Sequence, residues 1–248
     1  MPVRYGNLPY SRSIKANGYP QNIQARQLLN YRAAEQFVFP LLDTDQSPLG
    51  RAYTDFQQLG QRLIAEGAPP SELADEGPID VTLFFRDRLP EDPVNASTWA
   101  SEMLKAFRGT LADPLLLACA AYVGNLMRWF IMPTSETYAK LPALARPTRL
   151  QRLKPHPSWI DMMVFPSFRD ALVNEPRDWV GPCIEAEWQV MWPHSLDDAL
   201  SRHAESQRIY LAPEFAAFVV QSKNWSMKPS ILEAFREIED TEINITAG

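Results

Sequence analysis

The chain has 248 residues, 46% hydrophobic and 22% charged, which suits a soluble globular fold with a sizeable core and excludes wholesale disorder. Its 22 prolines against only 10 glycines favour short, sharply ended helices over hairpin-rich sheets. The net charge of −6 is uneven: Arg4, Arg12, Lys15, Arg26 and Arg32 stand without an acidic residue through position 34, so a basic arm precedes an acidic body.

Residues 1–20 carry no apolar period and read as that N-terminal basic arm. A single helical domain is expected over 21–240 and a C-terminal tail over 241–248. From Gln21 the spacing of Ile23, Leu28, Tyr31, Phe37 and Val38 predicts a helix that Pro40 ends. A second helix is predicted over 49–65 on Tyr53, Phe56, Leu59 and Leu63, closed by Gly67 and two prolines. The run 79–85 is too short for periodicity to choose between a lone strand and a buried turn. Ser97 is read as the N-cap of a helix through Arg108, and Asp113-Pro114 as the start of the most apolar helix, 115–132. Gly124, Asn125 and Arg128 interrupt that helix, so it is expected to be a buried core element rather than a membrane span. Partly strand-like alternation over 180–192 allows a small β element, residues 196–206 a polar helix or loop, and 213–222 and 229–238 two closing helices. The expected fold is mainly α: one compact multi-helix domain with at most a small β element.

Cys119 and Cys183 have no neighbours at metal spacing, and Cys119 lies in an apolar run, which favours reduced thiols; the start of the chain lacks a secretory leader pattern. A cytoplasmic protein is expected. Phosphate loops, dinucleotide-binding glycines, nucleophile elbows and metal-ligand spacings are absent, so no metal and no cofactor is expected.

The stretch 147–172 is cut by Pro147, Pro155, Pro157 and Pro166 and reads as a bend that presents side chains. Upstream, Lys140, Arg146, Arg149, Arg152 and Lys154 follow one another with no acidic residue between Glu136 and Asp161. They read either as a phosphate-binding patch, joined by Arg26 and Arg32, or as a solvated face. His156 and Trp159 offer flat groups for stacking. Downstream, Asp161, Asp170, Glu185, Glu187, Asp197 and Asp198 suit a guanidinium if they converge, because two oxygens match its planar fork. The other reading pairs Arg169 with Asp161 or Asp170 as a structural salt bridge.

Residues 127–173, MRWFIMPTSETYAKLPALARPTRLQRLKPHPSWIDMMVFPSFRDALV, resemble a fungal domain family of unknown function that usually sits C-terminal to a basic leucine zipper. The closing part, with Trp192, residues 211–218 and Asn224-Trp225-Ser226, is similar to the same family. Residues 30–42, NYRAAEQFVFPLL, are similar to a fungal basic-region signature, but one arginine, Pro40 and the lack of heptad leucines argue against sequence-specific DNA binding as a zipper dimer. Standalone proteins of this appearance also resemble arginine-containing cyclodipeptide synthases of fungal secondary metabolism. That resemblance implies an enzyme joining two aminoacyl groups, one of them arginyl, from charged tRNAs into a diketopiperazine. Under it the basic residues hold tRNA, and Asp170, Glu185, Glu187, Trp159 and Arg169 form the substrate pocket. His156, Asp161 and Ser158 become the catalytic candidates. Activated esters need positioning and proton transfer, not a metal or nucleotide. The alternative is a non-catalytic interaction module related to zipper regulators.

Overall fold

The computed structural model describes residues 39–43, 47–238 and 243–246. The basic arm, most of the helix expected from Gln21, and the site candidates Arg26 and Arg32 lie outside the described residues. Helix α1, Pro48–Ala65, starts where Ser47 Oγ accepts from Gly50 N at 3.0 Å with proline in the first turn, and it buries Tyr53 and Phe56. It stops at Gly67, whose φ of 101° suits a residue without a Cβ.

Short helices α2 (Pro70–Ala74) and α3 (Thr82–Phe85) follow. The ambiguous run 79–85 is thus a turn that becomes helical, with Asp80 bridged to Tyr210. Helix α4, Ala96–Lys105, is capped by Asn95 rather than Ser97: Asn95 Oδ1 accepts from Thr98 N at 2.9 Å and Thr98 Oγ1 accepts from Asn95 N, a reciprocal box. Ser97 is buried and serves elsewhere.

Helix α5, Asp113–Ile131, is the axis of the molecule. Asp113 does not cap it; Ala112 precedes it, and Asp113 pairs with Arg108 at 3.1 Å at the positive end of the helix. Its most apolar window is 89% buried, which identifies it as a core helix of the fold. Gly124 permits close packing, since a Cβ there would lie 3.0 Å from Ile79 Cδ1. Arg128 crosses the interior to the Ala74 and Gly77 carbonyls (3.0 and 2.8 Å) and to Ser97 Oγ (2.8 Å).

Helix α6, Ser135–Lys140, leads into the proline-cut stretch, which folds as α7 (Arg149–Leu153), a 3-10 turn (Ser158–Met162) and α8 (Pro166–Asn174). Within residues 180–192 the first six form helix α9 (Val180–Glu185), and only β1, Gln189–Val190, is strand. The expected polar helix or loop at 196–206 is instead a 3-10 turn entering an antiparallel hairpin of β2 (Leu200–His203) and β3 (Arg208–Leu211). Helix α10 (Pro213–Val219), β4 (Trp225–Met227), α11 (Ile231–Ala234) and β5 (Asn244–Ile245) complete the chain. A three-stranded sheet in the order β1-β4-β5 and the hairpin are small additions to a mainly helical body, as expected.

Candidate functional site

The signature stretch folds onto itself around one carboxylate. Thr148 Oγ1 accepts from Gln151 N at 3.1 Å while Gln151 Oε1 accepts from Thr148 N at 2.8 Å, which caps α7 and fixes the Gln151 amide. The other end of that amide, Nε2, donates to Asp161 Oδ1 at 2.5 Å. His156 Nε2 lies 2.9 Å from the same oxygen, and Tyr53 O–H reaches Oδ2 at 3.4 Å from α1. Ser158 Oγ donates to Gly50 O at 3.2 Å. Segment 39–43 closes the outside: Leu41 N donates to Gln151 O, Asp43 N to His156 O, and His156 N to Leu41 O.

The catalytic candidates therefore come together, but inside the protein. His156, Ser158 and Asp161 are 1%, 0% and 2% exposed. Both imidazole nitrogens are occupied. Nδ1 lies 2.8 Å from Lys154 O, an acceptor only, so it carries a proton, and the hydrogen bond from Nε2 to Asp161 favours a second proton there. Burial works against this imidazolium, yet the hydrogen bond to Asp161, its charge and the Lys154 carbonyl outweigh burial and raise the His156 pKa above 6.5. The arrangement holds a proton in place and leaves neither nitrogen free to take one from a substrate. The pair contributes stability that is fully present below about pH 6.5 and is lost as pH rises through the elevated folded-state pKa. Urea midpoints are accordingly expected to fall between pH 6 and pH 9 in the wild type, and His156→Gln is expected to flatten that slope.

Arg169 is fully buried and turns away from the carboxylates it was expected to pair with. Its Nε donates to Gln151 Oε1 at 2.9 Å, and its terminal nitrogens donate to Leu144 O (2.6 Å), Met163 O (2.7 Å), Val164 O (3.0 Å), Arg146 O (2.8 Å) and the Tyr122 hydroxyl. Asp170 accepts from Thr148 Oγ1 at 2.5 Å. Glu185 is exposed on α9, and exposed Glu187 pairs with Lys228. With Asp161 sealed inside and the two glutamates outside, one open pocket cannot present all four carboxylates. Half-buried Trp159 is stacked on Trp179, with ring centroids 6.2 Å apart and planes at 22°.

The basic run also divides by burial. Arg149 is exposed, and Lys140 pairs with Glu136 at 3.5 Å on the surface. Arg146 lies over the Tyr138 ring at 5.1 Å, and Lys154 Nζ donates to Asn174 O at 3.1 Å. Arg152 is 5% exposed with Nη2 at 3.3 Å from the Tyr138 hydroxyl, so it belongs to the interior rather than to a phosphate-facing surface.

A second polar constellation was not anticipated. Asp80, Arg86, Asp92 and Arg208 join the α3–α4 connection to the hairpin. Arg86 clamps Asp92 through two 2.7 Å hydrogen bonds, Leu89 N donates to it at 2.7 Å, and Arg208 Nη1 donates at 2.6 Å; Arg208 also binds Asp80. The Arg86 hydrogen bonds hold the Asp92 pKa far below the usual carboxylate range despite its burial. These residues with Asp75, Glu91, Asn95 and Tyr210 line a cleft of about 1120 Å³, including space open to solvent. Strict sequence order hid it, because Arg208 lies more than a hundred positions from its partners. Among the described residues no group of three or more His, Cys, Asp or Glu is placed to hold a metal ion.

Residues 124–246 match the family model described as a domain of unknown function, DUF3425. No curated protein and no solved structure matches the chain. The match begins within α5, whose first half packs in the same core, so the physical unit extends upstream of it.

Proposed function

We propose that this chain, which carries the DUF3425 domain over residues 124–246, is a cytoplasmic tRNA-dependent cyclodipeptide synthase of fungal secondary metabolism that incorporates arginine. Two aminoacyl esters enter; the amine of each attacks the carbonyl of the other, two amide bonds form, and two tRNA hydroxyls leave. Both acyl groups arrive activated, so the protein's work is positioning. The observation that carries the reading is the solvent-open cleft at Asp80 and Asp92. Its lining has four carboxylates against two guanidiniums, and exposed Glu91 stands at its edge. Asp92 already holds Arg86 in a two-oxygen fork, the geometry an arginyl side chain requires, and Arg208 is shared between Asp80 Oδ2 and Asp92 Oδ1. Exposed Arg149 and Lys140 supply charge for the tRNA backbone. The buried His156 pair has no chemical step in this reading.

Expression in a bacterial host is expected to release an arginine-containing cyclic dipeptide, detected by mass spectrometry of the medium. Glu91→Gln is expected to reduce it with an unchanged melting temperature. Arg149→Glu is expected to weaken tRNA retention and lower its salt slope by about 1. A folded, soluble wild-type protein that yields no such product overturns this reading and leaves the second one, a non-catalytic interaction module related to zipper regulators. The sealing of His156, Ser158 and Asp161 favours that second reading, because a signature fully engaged in internal hydrogen bonds serves stability as well as it serves catalysis.

A further inference from the structure

The Asn95 side chain has one end engaged and one end free. Oδ1 accepts from Thr98 N at 2.9 Å and caps α4. A backbone N–H needs an acceptor, so that end of the amide is its oxygen and the nitrogen points the other way. Asn95 is only 6% exposed, yet Nδ2 has no hydrogen-bond partner among the described residues and is not sealed off. Since the residue lines the cleft at Asp80 and Asp92, its spare N–H groups face that cleft. Polar groups on side chains this deeply buried are almost always satisfied, and a reachable free donor in the wall of an open cleft points to an acceptor that arrives with a ligand.

The carboxylates of the lining say what else that ligand carries. Asp80 and Asp92 are taken up by Arg86 and Arg208, while Asp75 accepts from Ser97 Oγ at 3.0 Å and faces Arg128 at 3.5 Å. Exposed Glu91 has no ion pair among the described residues, which leaves it open to a cation from outside.

We propose that Asn95 Nδ2–H is the donor this cleft offers to the carbonyl oxygen of a cationic aminoacyl group, while Glu91 meets the cation. Its part in a chemical step rests on the synthase reading. The amine of one aminoacyl group attacks the ester carbon of the other, and the C–N bond forms as the carbonyl electron pair moves onto the oxygen held by Nδ2–H. The pair then returns, the C–O bond to the tRNA ribose breaks, and the proton shed by the amine leaves on the ribose hydroxyl.

The test uses the full chain and two probes, argininamide and agmatine, the second of which lacks the carbonyl. At pH 6 both are dications, so charge does not separate them. Calorimetry is expected to show argininamide bound about 5- to 10-fold more tightly. Asn95→Asp and Asn95→Ser keep a capping oxygen for α4 but lose the amide donor. In both, the preference is expected to vanish at an unchanged melting temperature, and cyclic dipeptide output to fall about 100-fold or more. Equal affinity of the two probes for the wild type overturns the proposal and means that water satisfies Nδ2. An undiminished preference or product yield in a folded Asn95 variant also overturns it and leaves the synthase reading standing. A wild type that prefers argininamide through Asn95 yet makes no product supports the contact and overturns the synthase reading instead. If neither variant folds, the comparison of the two probes on the wild type decides.

Discussion

Asp161→Ala is expected to lower unfolding free energy by about 3–5 kcal/mol, read from urea titration of tryptophan fluorescence, and to lower the melting temperature by roughly 6–20 °C. Removing the carboxylate strands an imidazolium 1% exposed, leaves the Gln151 amide hydrogens without an acceptor, and orphans the Tyr53 hydroxyl at the interface with α1. Asp161→Asn is expected to cost less, because its carbonyl oxygen still accepts from Gln151 while the imidazole can lose its second proton. In the double variant His156→Ala, Asp161→Ala, the loss is expected to fall short of the sum of the single losses by about 0.5–3 kcal/mol, the coupling of residues in direct contact. A loss below about 1 kcal/mol in Asp161→Ala, the range of an exposed pair, would contradict this account. The measurement also separates roles: a catalytic carboxylate loses product at constant stability, whereas this geometry predicts that stability falls first.

What could be read along the chain was whatever its local chemistry determines. Helix α1 followed from its apolar spacing and its glycine stop, α5 from its long apolar run behind Asp113-Pro114, and the division of the signature stretch from its prolines. The site was legible only as a set of residues. That His156 and Asp161 sit together could be seen from their spacing; that Tyr53, 108 positions away, shares the carboxylate could not. The Thr148-x-x-Gln151 pattern is a capping-box signal, and it would have placed Gln151 at the centre of the network. The hairpin at 200–211 was hidden for a different reason. Its turn lacks the usual Asn-Gly or Asp-Gly pair, and Gln207 takes the left-handed conformation at φ 53° instead. Charged residues such as Arg128, Arg152 and Arg169 read as surface in any local pattern, because their burial rests on acceptors supplied by distant segments.

Arg169→Ala is expected to have the largest effect of any single change, leaving the protein insoluble or unfolded at 25 °C. The reason lies in the prolines. Pro142, Pro147, Pro155, Pro157 and Pro166 remove five backbone donors from the segments that wrap this core, so the irregular connections hold more buried carbonyl oxygens than neighbouring N–H groups can satisfy. The Arg169 guanidinium supplies the missing donors. It reaches Leu144 and Arg146 before α7 and Met163 and Val164 before α8, and so ties together the two connections on either side of the signature turn. Each buried acceptor left unmet costs about 1–3 kcal/mol; the Tyr122 hydroxyl can still donate to Leu144 O or Met163 O (3.0 and 2.8 Å), so three carbonyls lose their donor, a loss that reaches into the 5–15 kcal/mol that typically holds a domain folded. Arg169→Lys keeps the charge but concentrates three donors on one nitrogen, which cannot span Gln151 Oε1 and Arg146 O together. It is expected to fold with a lowered urea midpoint, intermediate between wild type and Arg169→Ala. A well-folded Arg169→Ala protein with a near-wild-type midpoint would mean that water, rather than the guanidinium, satisfies these carbonyls.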